Sequence, residues 1–456
     1  MIRYETNSKL IQKGQIFVAL KGNTVDGHDY IEEAIKNGAS KVILEKDITL
    51  NIPYEKVDDT KEYLKTTLVN EYKDVVNKLK IIGVTGTNGK TTTCYLTYQM
   101  LQKLGVSVAY LGTIGYYQND KYIELNNTTP DILTLYKLLV EAVNDGIEYL
   151  VMEVSSHALS LERIAGLKFS CGAFTNLTED HLDYHKTMDA YLSEKLKLIN
   201  YLKEDATLIL NSDDDASDKF KTFKNYKTYG INGDYKIVNY DILPDHTNLE
   251  FSYNNKIYNV RTNLTSKFNI YNYLTCLGIL NTIGINIDDI IKITKEVKPP
   301  KGRCETYKVG KGYAVVDYAH TPDAVEKVIT AYNELKKNKV ITIIGCGGDR
   351  DPIKRPIMGK IATSLSDYVI FTNDNPRTED PKKIMNDIIK DNHSANYEVI
   401  YDRFDAIMKG IEMMNNDDIL LVLGKGHEDY QIIGREKIHF DDAEVIKSYQ
   451  LKNINE

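Results

Sequence analysis

The sequence predicts an α/β protein of three domains, and three observations predict it. An apolar stretch runs through a glycine-bearing turn into a helix-like segment at 81–93, IIGVTGTNGKTTT. From Lys80 onward strand-like and helix-like segments alternate, the rhythm of a largely parallel sheet covered by helices. A second alternation starts after Lys298-Pro299-Pro300-Lys301-Gly302. At 456 residues the chain exceeds one ordinary core, which implies roughly two to four domains.

Residues 1–77 read as a small N-terminal α/β domain. Its expected elements are a strand over 15–20, a helix over 30–37 ended by Gly38, a strand over 41–44 and a charged helix within 58–78. Residues 78–298 read as a central parallel-sheet domain, with strands over 80–84, 106–111, 149–154, 171–175 and 207–210. Helices are expected over 91–104, after Pro130 and around 191–201. Period-two alternation across 236–262, centred on Tyr253-Asn254-Asn255, predicts a small antiparallel insert. Residues 299–456 read as a Rossmann-like domain with strands over 313–316, 339–344, 367–371 and 418–423. Its polar motifs each follow a strand, at the carboxyl edge where open sheets bind ligands.

Composition narrows the class. Apolar residues at 42% and charged residues at 27% are those of a soluble globular protein, and a net charge of −8 argues against nonspecific nucleic-acid binding. The five cysteines include no C-x-x-C pair, so neither a zinc site nor a disulfide framework is expected. The start MIRYETNSKL has no apolar core and no run is long enough to cross a bilayer, so a cytoplasmic location without membrane insertion is expected.

The turn at 81–93 has the chemistry of a phosphate cradle. Gly83, Gly86 and Gly89 are expected to let backbone N–H groups approach phosphate oxygens around Thr87 and Asn88, with the following helix aiming its positive end at the same anion. Lys90 would then sit among β- and γ-phosphates, and Thr91, followed by Thr92, would offer a hydroxyl to Mg²⁺. The spacing is G-x-x-G-x-x-G-K-T, with Val84 where the strict pattern has glycine. ATP is therefore the expected nucleotide.

Four further segments carry more ionisable residues than packing asks for. MEVSSHALSLERIAG ends an apolar strand at Glu153, a natural Mg²⁺ ligand beside a nucleotide loop, and continues through Ser155, Ser156, His157 and Arg163. TNLTEDHLDYH holds Asn176, Asp180, His181, Asp183 and His185, followed by Lys195 on a helix that begins around Thr187. A lone histidine is usually structural, but two histidines and two aspartates after a buried strand shift that balance. TNDNPRTEDP places Asp374, Asn375 and Arg377 on a proline turn, a rigid fork for a carboxylate. GKGHEDYQ places Gly424, Lys425, His427 and Glu428 after another strand.

Together, GVTGTNGKTTT, NNTTPD, MEVSSHAL, TNLTEDHLDYH, GRCE, VVDYAHTPDA, GCGGDRDPIKRP, DNPRTEDP and GKGHE resemble the Mur ligases over nearly the whole chain, in order and spacing most like members that add the third residue of the peptidoglycan stem peptide. The resemblance implies domains that bind, in chain order, a UDP-sugar, ATP and an amino acid. It also implies a reaction in which ATP phosphorylates the carboxylate of UDP-N-acetylmuramoyl-L-alanyl-D-glutamate and an amine attacks the acyl phosphate. Onto that scheme Lys90 maps as the phosphate lysine, Thr91 and Glu153 on one Mg²⁺, His181 on a second, and Lys195 as an N6-carboxylysine that also holds metal. Asn176, Asn269, Asn272, Arg303 and Asp317 map to the nucleotide, and Thr128, Thr129, Ser155 and Arg163 to the muramoyl dipeptide. Ser8 maps to the uridine pocket. Arg350, Asp374, Asn375, Arg377, Gly424 and Glu428 map to the amino-acid pocket.

Two stretches depart from the family pattern: Asn7-Ser8-Lys9 replaces Asp-Ser-Arg, and Ser266-Lys267-Phe268-Asn269 replaces Gly-Arg-Phe-Asn. The chain also starts almost at the uridine motif, so either the start is misplaced or the first domain is trimmed. Relatives that carry Asp-Asn-Pro-Arg use meso-diaminopimelate, whose second carboxylate would meet Arg377; lysine has none to offer. A monomer is expected. The alternatives are a paralogue with a shifted substrate and a non-catalytic UDP-sugar-binding scaffold.

Overall fold

In the computed structural model, which describes residues 2–22, 25–390 and 392–454, the chain divides into two compact units. The first comprises Met1–Lys90, Leu101–Leu210 and Asp215–Lys227, and the second Thr91–Met100, Asn211–Asp214 and Thr228–Glu456.

The first unit opens with a four-stranded parallel sheet in the order β1 (Tyr4–Glu5), β2 (Ile16–Val18), β3 (Lys41–Leu44) and β4 (Tyr54–Lys56). Phe17 and Val42 pack against Ile31 and Ala34 of the helix Ile31–Lys36. Asp59 caps the next helix, Thr60–Val76, by accepting from Lys61 and Glu62 N–H, and Leu64 and Leu68 of that helix join the core built on the helix Ile132–Asn144.

That core also covers the central sheet. Its strands are β5 (Lys80–Thr85), β6 (Val108–Gly112), β7 (Gly115–Gln118), β8 (Lys121–Ile123), β9 (Tyr149–Glu153), β10 (Phe169–Phe174) and β11 (Leu202–Asn211), in spatial order β11-β10-β5-β9-β6-β7-β8. From β11 to β6 the strands run parallel; β7 and β8 add an antiparallel edge that period analysis missed because each is three or four residues long. The strand order reverses beside β5: the chain first lays down β6, β7 and β8 on one side and inserts β9 between β5 and β6, then adds β10 and β11 on the other side. Such a reversal opens a crevice at the carboxyl ends of the strands. Gly83 lies inside β5, where a side chain would meet Phe169 at 2.7 Å, so it serves strand packing and not the turn.

In the second unit, β12 (Tyr226–Gly230) pairs in parallel with β13 (Tyr235–Ile242), which begins an antiparallel meander through β14 (Thr247–Tyr253) and β15 (Lys256–Thr262). The β14–β15 loop is Asn254-Asn255, both left-handed (φ 49° and 60°), the two-residue turn expected of the insert. A six-stranded sheet follows, with β16 (Glu305–Val309), β17 (Gly312–Asp317), β18 (Val340–Ile344), β19 (Tyr368–Phe371), β20 (Tyr397–Val399) and β21 (Ile419–Leu423) in the order β16-β17-β21-β18-β19-β20. Only β16 is antiparallel. Val325, Met358 and Ile384 lie in the core on one face, and Ala406, Ile411 and Val445 in the core on the other. This is the doubly wound arrangement expected of the third domain. A final hairpin joins β22 (Tyr430–Ile433) to β23 (Glu436–His439).

Ser266 is the residue least suited to its place. It precedes the helix Lys267–Thr282 with φ 77° and ψ 149°, close to a region that only glycine occupies readily, and its buried hydroxyl has no hydrogen-bond partner. Ser266→Gly removes both penalties at the cost of some unfolded-state entropy, so it should stabilise the protein by about 1 kcal/mol. Equilibrium urea unfolding checks this; a variant less stable than the parent refutes it.

Candidate active site

In the first unit the carboxyl edge of the central sheet carries the candidate phosphate site. Gly86 (φ 144°) and Gly89 (φ 86°) provide the left-handed backbone of the turn after β5. A Cβ at Gly86 would overlap Thr175 Oγ1, so no other residue fits there. The turn is clamped from the end of β10. Thr87 N–H donates to the Asn176 carbonyl (2.8 Å) and Asn88 N–H to Asn176 Oδ1 (2.9 Å), while Thr175 Oγ1 donates to the Asn88 carbonyl (2.6 Å). Thr178 N–H adds a bond to Thr87 Oγ1 (3.1 Å). Asn176 therefore shapes the loop itself. Thr175 and Thr178 do the same, although as small polar residues after a strand they gave no sequence signal.

Two lysines end on one carbonyl oxygen within this loop. Lys90 Nζ donates to Gly86 O (2.9 Å) and Thr87 O (2.8 Å), and Lys195 Nζ donates to the same Gly86 O (2.7 Å). Lys195 arrives from the helix Met188–Leu196, capped by Thr187, and is only 1% exposed. Its amine lies 4.1 Å from the Tyr191 ring centroid. Burial, followed by the charge of Lys90, pushes its pKa well below the usual lysine range. A solvated helix lysine would behave otherwise. Thr91 and Thr92 follow Lys90 in the helix Lys90–Lys103 and are buried.

Glu153 ends β9, fully buried, with Oε1 accepting from Tyr110 Oη (2.7 Å) and Thr113 N–H (2.8 Å) and Oε2 accepting from Thr113 Oγ1 (3.1 Å). The dipeptide-binding residues predicted from sequence gather around it. Thr129 Oγ1 donates to the Glu153 carbonyl (2.9 Å) and lies 3.4 Å from Ser155 Oγ, Arg163 Nη1 donates to the Thr129 carbonyl (2.8 Å), and Thr128 and Thr113 share a hydroxyl contact (3.0 Å).

His181 stands on a left-handed residue (φ 53°), its side chain 48% exposed, with Nε2 3.5 Å from Asp180 and its ring edge-on to His157. His185 is buried against Ser156 Oγ (2.9 Å) and stacks on Tyr191, so it serves packing. The side chain of Asp183 lies outside the described residues. Among the described residues, no group of three or more His, Cys, Asp or Glu is placed to hold a metal ion.

At the N-terminus the Ser8 hydroxyl is buried and bonded to Glu33, and Asn7 Oδ1 accepts from Lys9 N–H (3.0 Å). Asparagine thus closes its turn as aspartate does.

The second unit carries its own set of candidate residues. Asn269 Nδ2 donates to the Thr265 carbonyl (2.8 Å) and Asn272 Nδ2 to Asn269 Oδ1 (2.9 Å). Asp317, at the end of β17, accepts from Cys304 and Ala319 N–H (both 2.8 Å), and burial raises its pKa. Arg303 lies over Tyr318 (4.6 Å) with Nε buried and unbonded. Gly302 (φ 64°) touches the backbone of Gly426 and His427, so the GRC and GKGHE turns meet without side chains between them.

Three strand ends, those of β18, β19 and β21, meet at the amino-acid pocket expected from sequence. Asn375 Nδ2 donates to Glu428 Oε2 (2.7 Å), Lys425 Nζ reaches Asn375 Oδ1 (3.3 Å) and Glu428 Oε2 (3.2 Å), and a Cβ at Gly424 (φ 112°) would lie 2.7 Å from Asp374 Oδ2. Burial, then Asp374, pushes the Glu428 pKa up. Arg377 is left-handed (φ 51°) and donates from Nη1 to the Gly348 carbonyl (2.9 Å). A Cβ at Gly347 would lie 2.8 Å from Arg377 Nη1 and 3.7 Å from Arg350 Cγ, so both arginines flank one glycine. No described carboxylate pairs with either of them.

Comparisons with known proteins place the chain in a family. Residues 4–78 match the Mur ligase family, catalytic domain; residues 84–280 match the Mur ligase middle domain; residues 302–426 match the Mur ligase, glutamate ligase domain. The chain is 41% identical, over 98% of its length and 94% of the relative's, to the UDP-N-acetylmuramoyl-L-alanyl-D-glutamate–2,6-diaminopimelate ligase of Clostridium botulinum. It is 42% identical to the ligase of the same name from Fusobacterium nucleatum, over 99% and 95%. This chain belongs to the Mur ligase family. A solved structure of a ligase so named superimposes with a TM-score of 0.71 at 30% identity, covering 99% of this chain and 95% of that one. The three Mur ligase domains account for the three α/β domains read from the sequence, and the enzymes of the family are ATP-dependent.

Gly112 leaves room for the Glu153 carboxylate, since a Cβ there would overlap Glu153 Oε1. Gly112→Ala should lower ATP-dependent phosphate release by at least about 100-fold, as expected for a displaced active-site group, with circular dichroism unchanged. Activity within twofold of the parent contradicts this role.

Proposed function

We propose that this chain is an ATP-dependent ligase that adds meso-diaminopimelate to UDP-N-acetylmuramoyl-L-alanyl-D-glutamate, acting in the cytoplasm as a monomer in peptidoglycan precursor synthesis. The observation that carries the substrate choice is the pair Arg350 and Arg377 flanking Gly347. Arg377 has one terminal nitrogen tied to a carbonyl and faces no described carboxylate. Two guanidinium groups form a seat for a carboxylate, and the side-chain end of diaminopimelate carries one. Lysine would bring an ammonium to the same place. Asp374, Asn375, Gly424 and Glu428 supply the rest of the pocket, with the two carboxylates taking ammonium groups of the amino acid.

In this reading residues 1–77 bind the UDP-sugar through Ser8, residues 78–298 bind ATP, and residues 299–456 bind the amino acid. The turn 86–92 and Lys90 cradle the phosphates, with Thr87 and Asn88 N–H held by Asn176 to shape the loop; Asn176, Asn269, Asn272, Arg303 and Asp317 are the further nucleotide-binding residues of this reading. Thr128, Thr129, Ser155 and Arg163 hold the dipeptide at the end of β9. The glutamyl carboxylate attacks the γ-phosphorus, and the amine then displaces phosphate from the acyl phosphate. Lys90 offsets charge as it moves from the γ-phosphate to ADP.

Lys195 is suited to carbamylation. Its buried, depressed amine carries a lone pair that can add to CO₂, releasing one proton and leaving an anionic carbamate beside Lys90. Thr91, Glu153, His181 and that carbamate would hold Mg²⁺. The donor set fits: Mg²⁺ takes one or two protein carboxylates and fills its remaining positions from phosphates and water, so no all-protein cage is needed. When bound, the metal neutralises phosphate charge.

Phosphate release by the purified protein should require both the UDP-dipeptide and the amino acid. Diaminopimelate should exceed L-lysine in kcat/KM by at least about 100-fold, as expected when a buried charged group loses its partner. Comparable turnover of the two refutes the assignment. Lys195→Ala should be inactive and recover in part with added formate or acetate; no recovery at any concentration removes the carbamate from the proposal.

A further inference from the structure

The arginines of the amino-acid pocket sit on loops with little regular structure of their own. One loop follows β18 and carries Arg350; the other follows β19 and carries Arg377. Each contains a non-glycine residue in the left-handed region, Asp349 (φ 53°) and Arg377 (φ 51°), a conformation that L-residues hold only when surroundings impose it. The loops touch backbone to backbone: a Cβ at Gly348 would overlap the Pro376 carbonyl, and Gly348 N–H donates to the Asn375 carbonyl (2.9 Å).

Beneath them lies an ion pair that the catalytic scheme does not use. Arg355, at the start of the helix Lys354–Leu365, is fully buried. Its Nη1 donates to Glu379 Oε1 (2.9 Å) and Asp387 Oδ2 (2.8 Å), and its Nη2 to Glu379 Oε2 (2.7 Å) and the Gly347 carbonyl (3.2 Å). Glu379 Oε2 also accepts from Asp349 N–H (3.1 Å), and Asp349 in turn accepts from Thr378 N–H (3.1 Å) and Oγ1 (2.9 Å). One guanidinium therefore grips the Arg350 loop at Gly347 and the Arg377 loop at Glu379. Fork-to-fork geometry fixes both separation and angle, which a lysine in place of Arg355 could not do.

We infer that Arg355 and Glu379 are positioning residues for amino-acid specificity: by clasping both loops they set the spacing of the Arg350 and Arg377 guanidinium groups. The inference rests on the reading of these loops as the diaminopimelate pocket. It makes the buried pair a ruler for a dicarboxylic amino acid and not a general support of the sheet, whose cores lie on apolar residues.

The test compares the parent with Glu379→Gln and Arg355→Lys in steady-state kinetics and amide hydrogen exchange. Expected is a rise of about tenfold or more in KM for meso-diaminopimelate, with KM for ATP and for the UDP-dipeptide within about twofold and a weaker preference over L-lysine. Gly348, Asp349 and Thr378 amides should exchange faster than in the parent. Faster exchange at these amides with an unchanged KM for diaminopimelate overturns the inference, as does an equal rise in all three KM values. Should Arg355→Lys fail to fold, Glu379→Gln, which keeps an oxygen acceptor, decides alone. A parent enzyme that prefers L-lysine refutes the substrate reading instead, and the same variants then test positioning through the KM for lysine.

Discussion

Two amines share the carbonyl oxygen of Gly86, and much of the central site follows from that crowding. A neutral backbone oxygen cannot balance two cations, and Lys195 has almost no access to water. The arrangement becomes favourable when one amine gives up its proton or when an anion arrives. Both outcomes serve a phosphate-transfer site: a neutral amine can become an anionic oxygen ligand, and a triphosphate can take the remaining cation. The Thr175 and Asn176 clamp has the same purpose, because it holds the turn open in the shape an anion requires.

The C-terminal sheet solves a different problem, bringing four loops together at one edge without filling the space they enclose. Glycine does part of this, at Gly302, Gly347 and Gly424, where a side chain would strike a neighbouring loop. Buried arginines do the rest. Arg403 forms a bidentate pair with Asp442 (2.7 Å to each oxygen) and donates to the Leu423 carbonyl (3.0 Å), so the last helix is tied to the strand end that launches GKGHE. Buried ion pairs contribute little net stability, but breaking one is costly and their geometry is exacting. At this edge they act as spacers.

Much of this was legible in the sequence. The strand-turn-helix at 81–93, the apolar strands that end at Glu153 and Asp317, and the motif order from Asn7 to Glu428 gave the fold and most of the pocket residues. What stayed hidden has physical causes. The strands β7 and β8 carry too few residues for a period to register, and β16 is partly exposed along most of its length and lacks a continuous apolar run. Thr113, Tyr110 and Thr178 act through hydrogen bonds to partners far away in the chain, which no local pattern encodes. Arg355 and Arg403 look like surface residues on helices, and only the fold reveals them as buried. Lys195 is the instructive case: its spacing says solvated, the family resemblance says catalytic, and its burial beside Lys90 supplies the reason.

Charge at the C-terminal edge completes the picture for a chain that carries a net −8. An acidic protein that binds anionic substrates needs local positive potential that does not fade with pH. Histidine would be a poor source here. Burial, followed by Arg303, Lys301, His320 and Lys425, pushes His427 down to about 3. The His427 imidazole is therefore neutral across the physiological range, held so by its burial and then by the fixed cations around it. In the proposed site, attraction for phosphate and carboxylate rests on Arg303, Arg350, Arg377 and Lys425. Neutral His427, its Nδ1 buried without a partner, is left to pack against Tyr318 and hold the meeting point of two turns.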